Sequence, residues 1–137
     1  MRIAVGTDEI SAVTEAVERH VVDAGHELVV LGRGDPWPEV GRGVGEAVAG
    51  GRADRGIVWC WTGTGVSIAA NKVPGVRAAL CTDPETARGA RKWNDANVLA
   101  LGLRLTSEPV AVEIVDAFLT TEPDGTESAN IAAVEPG

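Results

Sequence analysis

Apolar residues follow two alternating rhythms along this chain. Short, nearly continuous apolar runs such as Ile3–Val5, Leu28–Leu31 and Ile57–Cys60 are separated by stretches where apolar residues recur every three or four positions. The first rhythm predicts strands buried on both faces, the second amphipathic helices. In order, the pattern predicts a strand over 2–5 and a helix to about Ala24. Ile10, Val13, Val17 and Val21 share a face of that helix, Thr7 or Asp8 caps it, and Gly25 ends it in a left-handed conformation. A strand over 28–31 follows, then a helix with a thin apolar face of Val40, Val44, Ala47 and Val48. The third strand, 57–60, leads through a Gly/Thr turn into a helical segment near 67–71. Val76–Leu80 is the fourth strand, and Asp83 and Pro84 open the next helix as cap and first-turn proline. Asn97–Leu101 is the fifth strand, and Pro109–Leu119 a helix with Val110, Ile114 and Phe118 on one face.

Alternating strands and helices predict an α/β fold, a five-stranded parallel sheet with helices on both faces. A length of 137 residues suits one domain. The stretch after Thr121 carries Glu122, Asp124, Glu127 and Glu135 and no basic residue. Residues 1–122 are therefore read as the domain and 123–137 as an acidic tail. That tail either frays or lies along a partner subunit through Ile131 and Val134. With one Phe, no Tyr and 45% hydrophobic residues, the core is built from Val, Ala, Leu and Ile. Twenty acidic against 12 basic residues give a net charge of −8 without a basic cluster, which excludes nucleic acid and anionic membrane as expected partners. No apolar run reaches the length of a membrane span, and the N-terminus lacks a secretory pattern, so a cytoplasmic location is expected. Cys60 and Cys81 are too few for a disulfide framework, and with His20 and His26 they form no zinc-ligand spacing. The first turn lacks GxGxxG and Gly63–Thr64–Gly65 is not a Walker loop, so no nucleotide cofactor is expected.

Candidate chemistry gathers at the carboxyl ends of the strands, where open α/β sheets bind ligands. Gly6–Asp8, Gly32–Trp37, Cys60–Gly65, Cys81–Asp83 and Gly102–Arg104 all fall on that rim. Cys60 ends a strand immediately before a glycine turn and a helix N-terminus, a place where free N–H groups attract negative charge. A free thiol titrates near 8.5, and a helix N-terminus lowers that value toward working pH. Cys81 reads as a core residue, close to Cys60 if their strands are adjacent.

The segments RIAVGTDE, ADRGIVWCWTGTGVSIAANKVPGVRAALCTD, NDANVLALGLRLT and AVEIVDAFLTT resemble the ribose-5-phosphate isomerase B family, which includes the galactose-6-phosphate isomerase subunits. The resemblance spans residues 1 to about 122. It implies a Rossmann-like three-layer sandwich, a homodimer sometimes paired into tetramers, and aldose–ketose interconversion without metal or organic cofactor. It places Cys60 as the general base with Thr62 beside it, and Gly63, Thr64, Gly65 and Ser67 in the anion loop. Asp8 matches a substrate-hydroxyl ligand, Asn94 a sugar-oxygen ligand and Arg104 a phosphate contact. Several positions depart from the family. Glu9 replaces the histidine of an Asp–His pair, Trp61 the glycine after the cysteine, and Trp93 the ring-opening histidine. Trp37 stands for the family's aromatic loop residue, and the acidic tail replaces a phosphate-binding basic one. The resemblance thus implies a substrate-binding set of Asp8, Glu9, Trp37, Trp61, Gly63, Thr64, Gly65, Ser67, Trp93, Asn94 and Arg104.

The resemblance implies a sugar or sugar-phosphate isomerase working through an enediolate. A noncatalytic sugar-binding relative or partner subunit is the alternative, and a lyase or epimerase using the same enediolate a further one. Arg88 and Arg91 are candidates to compensate for the missing phosphate ligands, and weak phosphate selectivity is expected.

Overall fold

The computed structural model describes residues 1–135. Its elements in chain order are β1 (Arg2–Thr7), α1 (Ala12–Asp23), β2 (Glu27–Arg33), α2 (Trp37–Ala49), β3 (Arg55–Cys60) and α3 (Thr64–Asn71). They continue through β4 (Ala78–Leu80), α4 (Pro84–Asn94), β5 (Val98–Gly102), α5 (Glu108–Thr120) and α6 (Ser128–Val134). The five strands are all parallel, in the order β2-β1-β3-β5-β4. This is the expected three-layer α/β architecture. Pro136 and Gly137, the end of the segment read as an acidic tail, lie outside the described residues.

Alternation along the central strands sends successive side chains to opposite faces. Ile3, Val5, Ile57, Trp59, Leu99 and Leu101 pack with Val17, Val21, Ile114 and Phe118 under α1, α4 and α5. Ala4, Val58, Cys60, Val98 and Ala100 pack with Val40, Val44, Val66 and Ala70 under α2 and α3. Small residues dominate the second face because α2 and α3 approach closely. A Cβ at Gly41 would sit 2.6 Å from that of Ala69, and one at Gly56 2.5 Å from a Val44 methyl.

Three local expectations are corrected. Ser11, not Thr7 or Asp8, caps α1, through a capping box with Thr14; the Thr7 hydroxyl instead donates to the Glu9 carbonyl and accepts from its N–H, closing a tight turn. Helix α3 begins at Thr64, so two of the three Gly63–Gly65 residues belong to its first turn. Cys60 and Cys81 are not on adjacent strands: β5 lies between β3 and β4, and the thiols belong to opposite faces. Burial, then Asp83, pushes the Cys81 thiol up to about 11, in keeping with a core residue. Gly25 and the Asp83–Pro84 start of α4 are as expected.

Candidate active site

Strand β3 is buried throughout and delivers Cys60, 5% exposed, to the carboxyl rim on the α2/α3 face. From there the chain folds across the end of β5. The Leu103 N–H donates to the Cys60 carbonyl at 3.0 Å, and the Arg104 N–H to that of Trp61 at 2.9 Å. The crossing depends on two glycines. A Cβ at Gly102 would lie 2.7 Å from the Thr62 carbonyl oxygen, and Gly63 takes φ +80 where a Cβ would run into Leu80 and the β5 backbone. Gly63 is also the N-cap of α3 and supplies no side chain to the helix end. The first intrahelical bond runs from the Ser67 N–H to the Gly63 carbonyl. The preceding amides, of Thr64, Gly65 and Val66, are the helix-end donors suited to an anion. The hydroxyls of Thr62 and Thr64 are 2.8 Å apart beside them.

Neighbouring elements fix this loop. Trp37, the first residue of α2, lays its indole on Gly65, where a Cβ would meet the ring at 2.9 Å. On the other flank, Thr7 pairs with Trp59 and the Asp8 N–H reaches the Trp59 carbonyl at 3.3 Å, so Asp8 stands beside Cys60 at the rim. Its Oδ1 is buried without a hydrogen-bond partner. Burial raises the Asp8 pKa, Glu9 adds to the rise, and a backbone hydrogen bond opposes it. Glu9, Trp61, Thr62 and Arg104 are exposed at this rim, Trp61 at 58%.

Trp93 and Asn94 are not brought to Cys60 within one chain. They end α4, which starts at the carboxyl rim and runs back to the other end of the sheet. With Asn71, Arg77, Ala78 and Ile131 they line a cavity of about 360 Å³ by the amino end of β4. The length of β5, roughly 13 Å at about 3.3 Å per residue, separates this end from the Cys60 end.

That amino-terminal end holds a charged cluster the sequence reading did not foresee. Arg55 donates to the Phe118 carbonyl and to Glu122. Arg91, 3% exposed, donates to Asp95, to the Ala96 and Thr121 carbonyls and to Glu122. Arg77 pairs with Asp95 and Glu135. Arg91 is therefore not a spare phosphate ligand, and Arg88 pairs with Glu85. Two acidic residues after Thr121 serve these arginines, and α6 lies against α4. Only the i, i+4 spacing of Arg91 and Asp95 was readable in advance.

The sequence and the fold both match known proteins. The family model described as Ribose/Galactose Isomerase matches residues 3–134. Ribose-5-phosphate isomerase B of Escherichia coli is 41% identical over 130 residues, covering 90% of this chain and 87% of that protein. The galactose-6-phosphate isomerase subunit LacB of Clostridium acetobutylicum is 39% identical over 124 residues, 87% of this chain and 72% of that one. The structure of type B ribose 5-phosphate isomerase from Trypanosoma cruzi superposes with a TM-score of 0.92 at 38% identity, covering 98% of this chain and 95% of that chain.

Proposed function

The chain belongs to the ribose/galactose isomerase family, and from that premise we propose that it interconverts the aldose and ketose forms of a sugar or sugar phosphate with Cys60 as base. The observation that carries the reading is the Cys60 thiol at the end of β3, next to the uncapped first turn of α3. In the reaction the Cys60 thiolate takes the proton from the carbon next to the carbonyl. The C–H electron pair becomes the enediolate double bond and the carbonyl oxygen takes up the negative charge. The amides of Thr64, Gly65 and Val66 and the Thr62–Thr64 hydroxyl pair surround that oxygen. The proton returns to the former carbonyl carbon while the hydroxyl proton of the second oxygen passes to the first. The first oxygen so becomes the alcohol and the second the new carbonyl, with no metal or organic cofactor in any step. One such donor contributes about 3 kcal/mol to the transition state. The Asp8 carboxylate accepts a substrate hydroxyl, and Arg104 at the rim meets the far end of the sugar.

The site is shared in a homodimer: the Trp93–Asn94 end of one protomer faces the Cys60 rim of its partner, because the two ends lie apart within each chain. Trp93 and Glu9 carry no imidazole, so ring opening is weak and open-chain substrates are favoured. Selectivity for phosphate is low because the acidic residues after Thr121 occupy arginines rather than add them. A second reading, a partner subunit that completes a related isomerase, draws on the same two positions.

Deuterium exchange from solvent into candidate pentoses, hexoses, tetroses and their phosphates, followed by NMR, tests the activity. Exchange at the carbon next to the carbonyl is expected, and a folded protein that exchanges none of them is not an isomerase. Mixing Cys60→Ser with Asn94→Ala protein tests the sharing. Random reassortment of dimers restores about a quarter of wild-type activity if each site takes one group from each protomer; no recovery places both groups in the same chain.

A further inference from the structure

Asp95 is the one non-glycine residue with positive φ among the described residues, at φ 46 and ψ 46. A left-handed aspartate costs roughly 1–2 kcal/mol of backbone energy and persists only where its surroundings hold it. Here they hold it from two sides. Arg91, one turn earlier on α4 and almost fully buried, donates to Asp95 Oδ1 at 2.7 Å and to the next carbonyl, of Ala96, at 2.7 Å. Arg77, just before β4, donates through Nε to the Asp95 carbonyl at 2.8 Å and through a terminal nitrogen to Oδ2 at 3.2 Å. Each arginine is held in turn by an acid from beyond Thr121, Arg91 by Glu122 and Arg77 by Glu135. What this clamp presents is the residue before it. Asn94 is exposed, and its amide makes no side-chain hydrogen bond to the described residues.

We propose that Asp95 is a positioning residue, whose carboxylate, gripped between Arg77 and Arg91, fixes the left-handed turn that aims the Asn94 amide at a sugar oxygen. The proposal rests on the isomerase reading, in which Asn94 touches the substrate. A bare left-handed turn would let Asn94 swing with the frayed end of α4; two arginines on one carboxylate remove that freedom before the sugar binds. The acids after Thr121 complete the clamp, which gives the acidic segment a part in the site without contact to substrate.

The test is a double-mutant cycle in the full-length protein. Asp95→Asn keeps the size and the tolerance for left-handed backbone but loses the charge. It is expected to raise KM about tenfold with a smaller change in kcat. Asp95→Gly relieves the backbone cost and lacks the clamp, and the same KM rise is expected from it. In an Asn94→Ala background Asp95→Asn is expected to change neither constant by more than about twofold. An equal effect in both backgrounds, or an unchanged KM in the single variant, overturns the proposal. Side-chain amide NMR gives an answer independent of turnover. The Asn94 signals should broaden or average in Asp95→Asn while those of Asn130 stay put, and an unaltered Asn94 would refute the clamp even if the isomerase reading has itself failed.

Discussion

The two ends of the sheet are built by opposite means. At the carboxyl end, main-chain groups do the organising. Gly63 and Gly102 let the loop cross β5, Gly65 receives the Trp37 ring, and the helix end is left without a side-chain cap. At the amino end, Arg55, Arg77 and Arg91 interlock with Asp95, Glu122 and Glu135, and Phe118 lies 5.8 Å from two of the guanidiniums. Backbone donors are fixed in place by the fold and need no carboxylate to neutralise them, so they remain directed at a ligand. Buried guanidiniums take up carboxylates and carbonyls to offset desolvation. Burial, followed by Arg91, lowers the Arg55 pKa, and Glu122 opposes both. One end is therefore suited to chemistry and the other to holding parts still.

The largest effect expected of that division is at Cys60. Cys60→Ser nearly preserves volume at a buried position but provides a much weaker base. Turnover should fall by about 10²–10⁴-fold, the usual worth of a positioned base, with the thermal midpoint nearly unchanged. Steady-state kinetics beside a thermal melt measures both, and turnover within about twofold of wild type would move the base elsewhere, with Glu9 the next candidate.

Arg91→Ala should show the reverse profile. It leaves Asp95 Oδ1 and the Ala96 and Thr121 carbonyls without their donor. Breaking a buried pair from one side typically costs about 3–5 kcal/mol, and the exposed Glu122 keeps this case at the lower end. Urea unfolding reads the loss. A cost under about 1 kcal/mol would mean that the amino-end cluster is a surface network and that the contrast between the two ends is false.

Gly63→Ala mixes the profiles, because there the fold and the chemistry share one backbone. An added Cβ would lie 2.6 Å from a Leu80 methyl and 2.9 Å from the Leu101 carbonyl carbon, at φ +80. The left-handed penalty and the overpacking together amount to about 2–3 kcal/mol. Turnover should fall as well, since Thr64 and Gly65 shift with the residue before them. A stable variant with normal turnover would show that the loop tolerates displacement and that its amides do not aim at the oxyanion.

The same contrast explains what could be read in advance. The Cys60–Ser67 loop was legible because its cause is local: an apolar run, a glycine turn and a helix start lie in sequence order. The strands of β1, β3 and β5 were legible for the same reason. The arginine cluster was not, because Arg55 and Glu122 are 67 positions apart and Arg77 and Glu135 are 58 apart. No local pattern marks such pairs. Helix α6 was missed because Ser128–Val134 is only seven residues long, too short for its Ile131 and Val134 to make a periodic pattern, and buries none of them. The Ser11 cap was hidden by Thr7 and Asp8, equally good cap residues that the rim turn already uses. Asn94 was assigned by resemblance, and its distance from Cys60 within one chain depends on where α4 ends, which spacing alone does not give.

The smallest effect, and the one that separates a binding acid from a structural one, is at Asp8. Its carboxyl sits at the rim with one oxygen buried and unpaired, and burial followed by Glu9 raises its pKa above the ordinary 3.8. The folded protein then binds more protons than the unfolded chain between 3.8 and the raised value. Stability therefore falls as pH rises through that window, the opposite of a carboxylate held in an ion pair. Asp8→Asn removes the titration while nearly preserving shape. It should flatten that part of the stability–pH curve and leave the protein at least as stable as wild type at neutral pH, while weakening substrate binding. Urea unfolding at a series of pH values against the wild type provides the comparison. A variant clearly less stable than wild type at pH 7 would mean that the charged carboxylate supports the fold rather than a bound substrate.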